Sequence, residues 1–430
     1  MFLRMIAICL LTLISAVPVL AQVDCQPDPS LLVTTAEHDS APPHDGKAVT
    51  RGAGFTVQYL EFASQLSADP GVYDADNVAS CSPTNNTPLT LGIRYVTPDA
   101  GVTADTGLII DLGGIGTGDC PPYINLFTFD TPGSDPLRES WVNDRNVVLA
   151  KVFYRNWNYW PYDYGKYQVV DVLRGVGAML QQYPQIDTTR IYLIGGSGGA
   201  HVALQVMQAY PTLFAEVYAL AGITRITTNL DVAAGQPYQG DTGGNSNGWN
   251  TNMLPYYPVT QGSMPAAQFE RITAERKLKG PQIGLARRAP IGELAPMVYV
   301  AHGDNDPTVH YQHMVDLSAA IVTYSGVAPM HDTATTWSVD NWKFMRIPGG
   351  NHAFTGGPSD RDTRSEAINV LNPNCFTREN PVTPTQSVNV YLPAEDGDWT
   401  YHFSGSDLSN VTVTTVQYTG NAGIDNWQDY

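Results

Sequence analysis

The sequence predicts an α/β protein built on a doubly wound, mostly parallel sheet. Short apolar runs alternate with helical patterns through most of the chain, which is the rhythm of strand–helix–strand units. One such run, Ile191-Tyr-Leu-Ile-Gly195, ends in Gly195-Gly196-Ser197-Gly198-Gly199 and passes directly into a helical pattern. The chain is 430 residues long and 43% hydrophobic, enough to bury one large core.

The elements follow from periodicity. Strands are expected at 55–62, 91–96, 107–111, 146–153, 190–195, 215–219, 297–301 and 342–347, where β-branched and aliphatic residues run between turn formers. Helices are expected at 167–182, 200–210, 311–324 and 365–371, where apolar residues recur every three or four positions. Two regions break the rhythm. Residues 224–290 are rich in Gly, Asn, Pro and Tyr, with one helical patch at 266–277, and read as a cap-like or binding insertion between core strands. Residues 376–430 hold short alternating runs (388–392, 399–403, 411–418) and read as a small C-terminal β-extension. The expected organisation is therefore a signal peptide at 1–21, a catalytic domain at 22–375 containing the insertion, and the extension.

Arg4, the apolar stretch from Met5 to Leu20, and the small residues before Gln22 have the layout of a cleaved secretory signal, so a secreted or periplasmic protein is expected. Cys9 falls within that segment. Cys25, Cys81, Cys120 and Cys375 remain, and an even count in an exported chain predicts two disulfides, with three pairings open. No Cys or His spacing reads as a zinc site, so no metal and no cofactor is expected. The formal charge of −18 argues against nucleic acid and anionic membrane surfaces as partners. Oligomeric state cannot be read from the chain.

A strand, a glycine-flanked serine and a helix in immediate succession form a nucleophile elbow, so Ser197 is the expected nucleophile. A serine hydroxyl needs an imidazole to take its proton, and the imidazole needs a carboxylate to fix its tautomer. Both follow downstream at the ends of predicted strands. In His302-Gly303-Asp304-Asn305-Asp306-Pro307, Asp306 lies further into the loop, whereas Asp304 beside glycine suits a turn. In Gly349-Gly350-Asn351-His352, the imidazole of His352 sits on a glycine-rich loop. His201 reads as a packed or capping residue, and His310 with His313 as a solvated helix face. The oxyanion donors are expected to be the amides of Gly198 and of Gly114, the latter in the glycine loop after strand 107–111. The run Phe153-Tyr-Arg-Asn-Trp157-Asn-Tyr159-Trp160 follows another strand; Trp157, Tyr159 and Trp160 suit a substrate wall or ordinary packing equally.

Gly195–Gly199, the His302–Asp306 run and Gly350-Asn351-His352 together resemble the α/β-hydrolase superfamily. The resemblance points to the branch holding prolyl-oligopeptidase-type hydrolases and secreted esterases of the polyhydroxybutyrate-depolymerase, feruloyl and acetylxylan kind. It covers roughly residues 90–224 and 290–372, and its chain order Ser, Asp, His is that of the superfamily. Leu112-Gly113 stands where the family usually has His-Gly, and no propeller is recognisable ahead of that strand. The resemblance therefore implies a serine esterase acting on small-molecule or polymeric esters, including polysaccharide-linked esters and polyesters. The alternatives are a prolyl-oligopeptidase-type peptidase and a catalytically silent binding protein on the same fold.

Overall fold

A computed structural model describes residues 49–50, 56–65, 89–114, 136–154, 166–222, 224, 296–325, 336–355, 364–380, 390–394, 397–404 and 407–416. Its main sheet has ten strands in the order β1-β2-β3-β5-β4-β6-β7-β8-β10-β9. These are β1 Val49–Thr50, β2 Thr56–Ser64, β3 Leu89–Val96, β4 Gly107–Leu112, β5 Val147–Val152, β6 Ile191–Gly196, β7 Glu216–Leu220, β8 Met297–Gly303, β9 Thr336–Val339 and β10 Trp342–Ile347. From β5 through β4, β6, β7 and β8 to β10 every pairing is parallel, while β1, β2, β3 and β9 join antiparallel at the two flanks.

The central strands are buried along their whole length, which is why they read as continuous apolar runs and not as alternating ones. Their side chains divide between two cores by simple alternation. Leu108, Ile110, Val148, Ala150, Ile191 and Leu193 face one side. Ile109, Val147, Leu149, Tyr192 and Ile194 face the other. Helices α2 (Lys166–Gln182), α3 (Gly198–Ala209) and α4 (Gln312–Ser325) cover the first face, and α1 (Pro136–Asp144) and α5 (Arg364–Leu371) cover the second. The sheet is thus doubly wound, as expected.

The topology places a crevice. From β4 the chain crosses outward to β5, then returns through α2 to β6 on the opposite side of β4. The carboxyl ends of β4 and β6 therefore flank the switch point, where α/β sheets bind their ligands.

Most expected elements appear within a residue or two of their predicted limits. Helix α3 starts at Gly198, two positions earlier than expected, because the turn at Ser197 closes directly into it. Helix α1 and strand β9 were not predicted. Polar Arg138, Glu139, Asn143 and Asp144 mask the apolar stripe of α1, and β9 is four residues long on a sheet edge.

In the C-terminal region β11 (Val390–Ala394), β12 (Gly397–Ser404) and β13 (Asp407–Val416) form a separate antiparallel sheet. It lies over α2 and α3, with Tyr401, Phe403, Leu408 and Val411 joining the first core. The Arg174 Nε on α2 donates to the Val411 carbonyl at 2.7 Å, and Phe403 meets Tyr210 edge-on at 5.2 Å. This cover explains why every residue of α3 is buried. Phe376 is fully buried among Trp141, Tyr192 and Tyr218, and Asn380 still bonds Thr189 and Thr212, so the chain belongs to the main core through Asn380.

Candidate active site

Ser197 adopts φ 57° and ψ −124° between β6 and α3. A non-glycine residue in this region stores about 1–3 kcal/mol of strain, held here by the structure around it. Its N–H donates to the Leu220 carbonyl on β7 at 2.8 Å, and its carbonyl accepts the Ala200 N–H at 3.0 Å. A side chain on Gly195 would run into the Gly199 backbone, and one on Gly199 into the backbone of Leu112 and Gly113. The glycines on either side of the serine are thus required by close backbone approach.

Across the switch point, Gly114 lies beside the serine. A β-carbon built on Gly114 would sit 3.1 Å from Ser197 Cβ and 3.5 Å from Oγ. The loop is held by the Tyr154 hydroxyl, which donates to the Gly113 carbonyl at 2.6 Å. In a trans peptide the C=O and the following N–H point opposite ways, so this bond also sets the direction of the Gly114 N–H. Gly198, the other expected donor, is the first residue of α3.

Asp306 and His352 are brought together from the ends of β8 and β10. His352 Nδ1 lies 2.7 Å from Asp306 Oδ2, and the ionised carboxylate requires the proton on Nδ1, leaving Nε2 as an acceptor. The other carboxylate oxygen accepts the N–H groups of Thr308 at 2.8 Å and Val309 at 3.0 Å. Burial works against the Asp306 charge, but hydrogen bonds from His302 and His352 outweigh it and hold the carboxyl well below the usual range. At His352 burial is the largest influence and keeps the imidazole below its ordinary value. The Arg364 charge adds to this and the Asp306 contact opposes it.

Asp304 is separated from this pair. It accepts the Gly349 N–H at 2.6 Å and lies 3.6 Å from Arg346, pinning the turn after β8 to the end of β10. His201, His310 and His313 are engaged away from this pair. His201 Nε2 contacts Gln205 one turn along α3 at 3.0 Å. The His310 Nδ1 accepts the Gln312 N–H, and the buried His313 accepts the Thr224 N–H. His313 therefore faces the interior and not solvent, because Thr224 closes over it.

Two neighbours of the site were given no role in the sequence reading. His302 is buried, with Nε2 2.7 Å from the Val309 carbonyl and 3.3 Å from Asp306 Oδ2. Its signal was present, since it precedes Gly303 in the run that supplied Asp306. Arg364 bonds the His352 carbonyl from α5, and nothing in its local sequence marked it. Trp157, Tyr159 and Trp160, the insertion beyond Thr224, the signal-like segment, and Cys25, Cys81 and Cys120 lie outside the described residues. Cys375 is disulfide-bonded.

No curated protein matches the chain. Among solved structures, Pyrococcus horikoshii acylaminoacyl peptidase is 15% identical, with 74% of this chain and 40% of that one covered and a TM-score of 0.44. A puromycin hydrolase is 12% identical over 77% of this chain and 41% of its own, at a TM-score of 0.46. A putative dipeptidyl aminopeptidase IV from Bacteroides ovatus is 15% identical over 77% and 36%, at 0.45. The chain thus spans about two fifths of the length of these structures. The sequence profile of the prolyl oligopeptidase family matches residues 152–366, half of the chain. That stretch runs from β5 through the serine elbow and the Asp306 and His352 loops into α5, so this α/β-hydrolase chain belongs to the prolyl oligopeptidase family.

Proposed function

We propose that the protein is a serine peptidase that hydrolyses amide bonds in short peptides. The family match favours this alternative over the carboxylic esterase that led the sequence reading. The observation that carries the chemistry is the 2.7 Å contact between His352 Nδ1 and Asp306. It leaves His352 Nε2 free of a proton, in the form a general base needs.

In this reading the Ser197 Oγ attacks the carbonyl carbon while His352 takes its proton. The carbonyl oxygen becomes an oxyanion held by the N–H groups of Gly198 and Gly114. Collapse breaks the C–N bond, and the imidazolium returns its proton to the departing amine. Water, deprotonated by His352, then releases the acid and restores Ser197. Asp306 stays ionised and stabilises the imidazolium. Export forms part of the proposal, since residues 1–21 have a signal layout and the Cys375 disulfide suits an oxidising compartment.

The test is steady-state hydrolysis of a short N-acetylated peptide p-nitroanilide and of p-nitrophenyl acetate by the full chain and Ser197→Ala. Amide turnover that is lost in the variant supports the peptidase. Turnover of the ester alone restores the esterase reading. Substrate binding without any turnover marks a silent binding protein.

A further inference from the structure

We propose that Arg364 is a positioning residue, a clasp that ties the His352 loop to the nucleophile strand and holds its charge beside that loop. The inference rests on the reading of His352 as the base.

The Nη2 of Arg364 donates to the His352 backbone carbonyl at 2.7 Å. The Nη1 of the same guanidinium fills the space over Gly196, where a β-carbon would come within 2.5 Å of it. Gly196 is the last residue of β6 and precedes Ser197. One planar group therefore spans the two loops that must stay in register for proton transfer, and the missing side chain at Gly196 makes room for it. Arg364 also opens α5, where a cation is opposed by the helix dipole. The dipole does not account for an arginine there, whereas the contacts with the histidine loop do.

That loop is also tied to the loop after β8, through the Gly349 N–H on Asp304 at 2.6 Å, the Asn305 N–H on the Gly350 carbonyl at 3.1 Å and the His352–Asp306 contact, and it is tied to itself. Asn351 N–H reaches the Thr355 carbonyl at 3.0 Å, and Phe354 N–H reaches the Asn351 carbonyl at 2.9 Å. Phe354, at φ 71°, is buried in the second core, and the Arg364 guanidinium carbon stands 6.0 Å from its ring centroid. A few tenths of an ångström of drift in this loop would move the imidazole against Ser197, and misplacement by 1 Å costs on the order of 100-fold in rate.

The charged and titratable groups facing the imidazole are Asp306 and His302 from the end of β8 and Arg364 from α5. Asp306 favours the imidazolium, while His302 and Arg364 disfavour it. Removing the guanidinium charge therefore raises the pH at which His352 gives up its proton.

The test is an NMR titration of the His352 imidazole in the full chain, in Arg364→Met and in Arg364→Lys, with the pH profile of kcat/KM beside it. The resonance is assigned by its loss in His352→Ala. In Arg364→Met the midpoint is expected to move up, the acid limb of kcat/KM to move with it, and kcat to fall roughly 10- to 100-fold. Arg364→Lys keeps the charge but not the fork. It should restore the midpoint while kcat stays low, and it carries the test should the Met variant fail to fold. An unchanged midpoint in Arg364→Met, with or without a rise in KM, overturns the proposal; the rise would assign the guanidinium to substrate. Because the titration needs no turnover, a shifted midpoint in a protein without hydrolase activity leaves the clasp standing and removes only the functional reading.

Discussion

Two carboxylates are buried at opposite ends of the same sheet, and their proton affinities move in opposite directions. Asp306 follows the carboxyl end of β8, while Glu216 begins β7 at the far end. Glu216 accepts hydrogen bonds from the Tyr218 hydroxyl at 2.7 Å, the Phe376 N–H at 2.8 Å and the Asn372 side chain at 3.1 Å. Burial nevertheless prevails and pushes its carboxyl from 4.5 to about 7. Asp306 also accepts two backbone N–H groups, but two imidazoles stand against its other oxygen, and its carboxyl is pushed down. At Glu216 three hydrogen bonds and the Arg378 charge do not offset desolvation, whereas at Asp306 the hydrogen bonds and charges of two imidazoles do. The Glu216 end ties the segment from Asn372 to Phe376 onto the sheet; the Asp306 end holds a charge against His352.

The comparison breaks most sharply at Asp306. Asp306→Asn removes the charge and releases the His352 tautomer, and kcat is expected to fall on the order of 10⁴-fold in steady-state assays, while the main transition by circular dichroism persists. An unchanged kcat would mean that the low carboxyl serves only the turn.

Next comes Glu216. Its native proton affinity lies above the unfolded value, so the folded chain binds more protons and stability falls as pH rises from 4.5 towards about 7. The gap corresponds to about 3 kcal/mol. Glu216→Gln should gain on the wild type by about that amount between pH 4 and pH 8 in urea unfolding. Asp306 contributes with the opposite sign, its stabilisation being complete above the ordinary carboxylate range and lost on acidification. A difference between wild type and Glu216→Gln that does not change with pH would contradict the buried-acid account.

The smallest effect belongs to Asp304, which shares the loop with Asp306 but is exposed and engages the Gly349 N–H and the Arg346 side chain. Asp304→Ala should cost about 1 kcal/mol or less in the same unfolding assay and leave kcat/KM within about twofold. A large loss of activity there would reverse the assignment of the two aspartates.

The serine, aspartate and histidine were legible because each sits where a strand pattern ends, and their chain order carries its own information. Ser197 needs flanking glycines for backbone clearance, so its motif records a steric demand of the fold. Gly114 was legible for a similar reason, as the glycine loop after β4 that meets the elbow across the switch point. Arg364 and Tyr154 were not, because their roles depend on backbone carbonyls brought near by the tertiary fold. Glu216 likewise looks like an ordinary polar residue at a strand start; only the return of Phe376 over the second core buries it. Helix α1 was missed because its apolar content is confined largely to Trp141 and Val142.

The proposed chemistry stands or falls with Ser197 as a nucleophile activated by the Asp306–His352 pair. Labelling the purified full chain with a fluorophosphonate, followed by peptide mass spectrometry, tests it without any choice of substrate. One phosphonyl adduct is expected, on the peptide containing Ser197, absent in Ser197→Ala and formed far more slowly in His352→Ala. A chain that stays unlabelled, or carries its adduct on another residue, would contradict it.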